Sequence, residues 1–161
     1  MAILDNIRNV MNKVIRIVCI LLFAFMVIIG TYQILVRYIF NSPGTVSEEL
    51  LTYSFTWMSL FAAAYVFGKR EHMRMGFLAD KLNKKKLTIL NAIIEIIIIA
   101  FALIVMVYGG ISITSLSMTQ KTASLGIPMG YVYIVIPITG VVIAVYGVLN
   151  VICLIRKGEE A

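Results

Sequence analysis

The chain has 161 residues, 61% hydrophobic and 14% charged, with fourteen lysines and arginines, eight acidic residues and a net charge of +6. So apolar a composition leaves little for a water-soluble domain, and the basic excess flanks the apolar runs, where anionic headgroups explain it and no nucleic-acid partner is needed. Cys19 and Cys153 both lie inside apolar runs without a Cys-x-x-Cys spacing, which argues against disulfide or thiol-redox chemistry.

A helix crosses a hydrocarbon layer of ~30 Å with about 20 apolar residues. Ile17 to Val36 is the first such run, and it follows Arg8, Lys13 and Arg16. That front resembles a secretory signal, but the run exceeds the roughly 7 to 15 residues of a signal core, and no small-residue cleavage site precedes Tyr38-Ile39-Phe40. An uncleaved transmembrane helix over about 14–38 is therefore predicted. Asn41-Ser42-Pro43-Gly44 then favours a turn. Thr45-Val46-Ser47-Glu48 fits a capping box, in which the carboxylate of Glu48 reaches back to the helix start. A second helix is expected over 46–67, with Trp57 in mid-span. Glu48 and Glu49 suit its positive end and Arg37 suits the negative end of the first helix, so a pairing of Arg37 with Glu48 or Glu49 is expected across the hairpin.

The next segment is the longest polar connection in the chain. Met75, Leu78, Ala79 and Leu82 fall at i, i+3, i+4 and i+7, while Arg70, Arg74, Lys81 and Lys84 project elsewhere on a helical wheel. This predicts a short amphipathic helix over 71–83 in the membrane interface, its basic residues toward lipid phosphates. Lys84, Lys85 and Lys86 read as determinants of topology.

The third helix is expected over 87–115, with Glu95 its only charge between Leu87 and Ile113. A carboxylate at that depth must face protein, find a donor or take up a proton. Two readings of Glu95 stand open at this level: a proton or cation site, or a polar contact between helices. The fourth helix, over 130–155, follows Gly126-Ile127-Pro128 and begins with Tyr131 and Tyr133 where an aromatic belt belongs. Pro137 removes one backbone donor and should kink it. Gly140, Ala144 and Gly147 form a small face at i, i+4 and i+7, suited to close packing within the chain or with a partner.

The fold class is thus all-α: a single four-helix membrane domain over residues 1–161, with the interfacial helix in one loop. With four spans, twelve of the fourteen basic residues fall on one side and only Arg37 and Lys121 on the other. Basic flanks resist translocation, which places both termini in the cytoplasm. An enzyme brings a nucleophile, an acid–base pair or metal ligands to one place. No such set is legible, the single His72 stands beside Glu71 in the basic loop, and no cofactor is implied.

The order of features resembles the small membrane subunit of tripartite ATP-independent periplasmic (TRAP) transporters, the DctQ-like family. The resemblance rests on Arg37-Tyr38 closing the first helix, Glu48-Glu49-Leu50 opening the second, Trp57 within it, and Lys69-Arg70-Glu71-His72-Met73 leading to Phe77 and Leu78. Leu125-Gly126-Ile127-Pro128 with Tyr133 and Ile136-Pro137 adds a second block, although Gly130-Tyr131 stands where many relatives carry tryptophan. What the resemblance implies is a bacterial inner-membrane subunit of a sodium-coupled importer of organic acids, of the C4-dicarboxylate or sialic acid type. Its expected partners are a large polytopic subunit, which holds the substrate and sodium sites, and a periplasmic binding protein. On that reading Arg37, Glu48, Glu49, Trp57, Glu95, Gly140, Ala144 and Gly147 are candidates for helix or subunit contact. The alternative is a self-sufficient exporter of the small multidrug type, which would want a carboxylate in its first helix; Ile17 to Val36 has none.

Overall fold

The computed structural model describes residues 2–41, 44–69 and 84–159. The interfacial helix expected over 71–83, with Arg70, Arg74 and Lys81, lies outside these residues, as do the side chains of Lys84, Lys85 and Lys86. In chain order the elements are α1 (Ala2–Ile39), α2 (Thr45–Lys69), α3 (Lys84–Phe101), a π-helical segment (Ala102–Gly109), α4 (Gly110–Ser117), α5 (Gly130–Tyr133) and α6 (Val135–Glu159). The π segment joins α3 to α4 in one continuous third span, while α5 and α6 form the fourth. Among the described residues four helices are long and apolar enough to cross a membrane, and the protein is an all-α membrane protein.

Helix ends extend past the apolar runs because hydropathy marks where a helix meets lipid, whereas helicity continues through solvated residues. Thus α1 starts at Ala2, well before residue 14, and includes Arg8 and Asn12. The break between α5 and α6 follows from Pro137, which cannot donate to the carbonyl of Tyr133, the last residue of α5. The next bond, from the Ile138 N–H to the Ile134 carbonyl, is long at 3.4 Å. Just beyond it the buried hydroxyl of Thr139 donates to the carbonyls of Val135 and Ile136 at 2.7 and 3.0 Å.

The spans are not wrapped around a shared centre. α1 lies along α2, α2 along α6, and α6 along the third span, so α6 is the helix that its neighbours enclose. Within an apolar eighteen-residue stretch of each span, 50% of residues are buried in the fourth but only 6% in α1 and 6% in the third. Ala64, Ala102, Ile143 and Ala144 form the small core, with Phe67, Ile98, Met106 and Val142 packed against it. Total accessible area is 10859 Å², where a compact monomer of 18.0 kDa would expose roughly 8,000 Å². Lipid or another protein must cover the remainder.

Candidate functional site

The end of the bundle away from the chain termini is organised by the connection between α4 and α5. Gly126, at φ +67°, lets the chain turn. The N–H of Thr122 bonds the Ile127 carbonyl and that of Met129 bonds the Gln120 carbonyl, both at 2.8 Å, forming a short antiparallel bridge at Lys121 and Pro128. Buried Thr122 accepts from the Ile127 N–H at 3.2 Å. This folding turns three consecutive N–H groups, those of Ala123, Ser124 and Leu125, toward the carboxylate of Glu49, which accepts them at 3.1, 3.0 and 2.8 Å. The Tyr53 hydroxyl also donates to Glu49, at 2.7 Å, and lies 3.5 Å from the sulfur of Met129. One turn further on, the indole N–H of Trp57 donates to the Val132 carbonyl at 3.0 Å, while its ring meets Phe61 edge to face. Glu49, Tyr53 and Trp57 are spaced four apart and share one helix face. That face fastens α2 to the loop before α5 and to α5 itself.

Glu48 points elsewhere. A step of one residue turns a helix by about 100°, and its carboxylate accepts a single amide N–H, from Gln33 of α1, at 3.2 Å. The pairing expected between Arg37 and one of these glutamates is replaced by these contacts, and Arg37 is exposed. The expected capping box also takes another form: the Glu48 backbone N–H bonds the Gly44 carbonyl at 3.2 Å, and its side chain turns to Gln33. Below Glu48 on the same face, Thr52, Thr56 and Ser59 are exposed and donate to the carbonyls of Glu48, Thr52 and Phe55.

At the end that holds the chain termini, two polar rungs join α1 to α6. Arg8 donates to Asn150 at 2.7 Å, and Tyr146 donates to Asn12 at 2.7 Å. Tyr146 and Asn150 are buried, and a β-carbon added at Gly68 would lie 2.6 Å from the Tyr146 ring. Gly68 is therefore what lets the end of α2 cross that ring. The Lys69 ammonium lies 5.0 Å from the centre of the Tyr65 ring.

Between these ends runs the small face of α6. A β-carbon at Gly140 would sit 2.7 Å from Met106 and 3.2 Å from the Ala102 carbonyl oxygen, and one at Gly147 would sit 2.5 Å from Ile99. Ala144, between them, is buried. Gly140, Ala144 and Gly147 thus pack within the chain, against the third span. A carboxylate oxygen of Glu95 lies 3.9 Å from the same point at Gly147, which turns Glu95 toward α6. Among the described residues no group of three histidines, cysteines or acidic residues could hold a metal ion.

Sequence reading missed the Glu49 clamp and the polar rungs between α1 and α6. The spacing of Glu49, Tyr53 and Trp57 was the available signal for the first. For the second, Asn12 and Arg8 at one end of the chain had no visible relation to Tyr146 and Asn150 at the other.

Comparison with known proteins supplies the context. Residues 26–157 match the family described as tripartite ATP-independent periplasmic transporters, DctQ component. A Haemophilus influenzae protein described as a TRAP transporter small permease is 25% identical over 157 residues, covering 96% of this chain and 97% of that protein. SiaQ of Vibrio cholerae, the small permease protein of a sialic acid TRAP transporter, is 27% identical over 143 residues, covering 86% and 79%.

Proposed function

This chain belongs to the DctQ component family of tripartite ATP-independent periplasmic transporters, and we propose that it serves as the small scaffold subunit of a sodium-coupled importer of organic acids. In that role it binds a large polytopic subunit, which carries substrate and sodium, and a periplasmic protein delivers the substrate. The observation that carries this reading is the arrangement of the helices. α6 is enclosed by its neighbours, whereas α1 and the third span have few fully buried residues and expose a broad apolar surface to lipid or another protein. A stationary scaffold needs such broad lateral surface, and the internal polar contacts keep it rigid without forming a transport path. The self-sufficient exporter is not favoured by the relatives. The substrate class rests on the relatives alone, one of which is a sialic acid transporter subunit.

Among the residues singled out for contact, Glu49, Trp57, Glu95, Gly140, Ala144 and Gly147 serve the chain's own rigidity, while Arg37 and Glu48 are exposed and left for a neighbour. Arg70, Arg74, Lys81, Lys84, Lys85 and Lys86 would face anionic headgroups on the cytoplasmic side, with both termini there. The decisive experiment is reconstitution: proteoliposomes holding both membrane subunits and supplied with the binding protein should take up an organic acid down a sodium gradient. Uptake by this chain alone, or undiminished uptake without it, would overturn the proposal. For the orientation, a cysteine at Lys121 should react with an impermeant thiol reagent from outside and one at Lys85 should not; the reverse pattern would invert the topology.

A further inference from the structure

The lateral surface is chemically uneven. On α1 the exposed positions within the bilayer are dominated by Ile17, Ile20, Leu21, Phe23, Val27 and Ile28, and on α6 by Ile138, Val141, Val145 and Val148, which are ordinary partners for acyl chains. The outer half of α2 differs. Its exposed face carries Glu48, Thr52, Thr56 and Ser59 at spacings of three and four, on the side turned away from Trp57 and α6. Phe55 borders this face toward α1, one turn from Leu51, whose side chain lies beside Gly30.

Hydroxyls that bond the carbonyl four residues back are tolerated by lipid, so Thr52, Thr56 and Ser59 alone would decide nothing. Glu48 does decide. It is an exposed carboxylate in the first turn of a membrane helix, and its one neutral amide donor, at 3.2 Å, leaves most of its acceptor capacity unused. Charge complementarity asks for a basic donor at that level, and the small hydroxyl side chains below allow a helix backbone to come close. Hydroxyls at a similar level on the third span, Ser112 and Ser115, are flanked by Tyr108 and Leu116, which at 73% and 74% exposed would hold a neighbouring helix away.

We infer that the Glu48, Thr52, Thr56 and Ser59 face of α2 seats a transmembrane helix of the large subunit, one that places an arginine or lysine level with Glu48 and small residues beneath it. This rests on the proposed function. The test is co-purification of the large subunit, co-expressed with tagged small subunit, together with size-exclusion and thermal-stability profiles of each small subunit on its own. T56W and S59W point outward and should leave those profiles unchanged while lowering recovery of the large subunit at least ten-fold. E48K should lower it as well, whereas V141W and V145W, on the exposed stripe of α6, should recover it at the unaltered level. If the unaltered chain recovers no large subunit, the proposed function fails and this face falls with it. Recovery by T56W and S59W equal to that of the unaltered chain would overturn the docking face and leave the proposed function standing.

Discussion

The two faces of α2 differ more sharply than any two helices of the protein. Toward α6 and the loop before α5 it presents Glu49 and Trp57, bonded to that loop and to α5, with Tyr53 donating to Glu49 and Gly68 lying against the Tyr146 ring. On its exposed side, Glu48 has one amide contact among the described residues, and Thr52, Thr56 and Ser59 donate to carbonyls of their own helix. Adjacent glutamates therefore have unlike roles. Glu49 gives three loop N–H groups an acceptor within the chain, while Glu48 stays exposed apart from its contact with Gln33. Polar residues in a membrane helix thus carry different meanings according to whether their partners lie within the chain.

Substitutions on the inward face should weaken the isolated subunit, and those on the outward face should not. The largest effect is expected for Gly68→Leu. Its side chain would enter the space of the Tyr146 ring, which is fully buried and held through its hydroxyl to Asn12, so neither can yield cheaply. Overpacking of this kind costs about 3 kcal/mol. Thermal unfolding in detergent should show a large loss, and an unchanged transition would mean that α2 and α6 do not cross closely at that level. Next, Glu49→Ala should speed hydrogen exchange at Ala123, Ser124 and Leu125 by more than roughly ten-fold, since local opening of a loop is governed by the bonds that close it. Glu48→Ala should leave those amides unaffected. Equal responses from the two variants would erase the distinction between the faces.

A smaller effect is expected for Trp57→Phe, which keeps an aromatic side chain but loses part of the indole's volume and the bond to the Val132 carbonyl, and should cost about 1 to 2 kcal/mol. Thr56→Ala, one residue earlier, removes a hydroxyl bonded only to its own helix and should stay within about 0.5 kcal/mol of the unaltered subunit. Denaturation of both variants in the same detergent sharpens the comparison. Should Thr56→Ala prove the more costly, the outward face would already be packed within the chain.

Much of the architecture was legible before any coordinates. Four charge-free or nearly charge-free runs announced four spans, because hydrocarbon tolerates only helices that satisfy their own backbone, and that requirement is local. Pro137 announced a kink, and the helix is interrupted at Ile134, just after the Tyr133 carbonyl to which Pro137 cannot donate, for the same local reason. Gly140, Ala144 and Gly147 announced a close approach but could not say to what; the third span supplies it. The hairpin pairing of Arg37 with a glutamate was a reasonable expectation from helix ends, yet it was decided by geometry that the ends do not contain. Glu49 is drawn to the loop before α5, more than seventy residues away, and Glu48 to Gln33.

The sequence by itself determined that this protein lives in a membrane, how often it crosses, and, through the order of its motifs, the family to which it belongs. Those properties depend on short-range composition and on the capacity of each helix to bond its own backbone. Only the tertiary structure decided that α6 is the enclosed helix, that Arg8 and Asn12 reach across to Asn150 and Tyr146, and that Glu48 and Glu49 part company. Side-chain partners across a layer of helices depend on the rotation of each helix about its axis, a quantity set by packing against neighbours and absent from any single helix read alone.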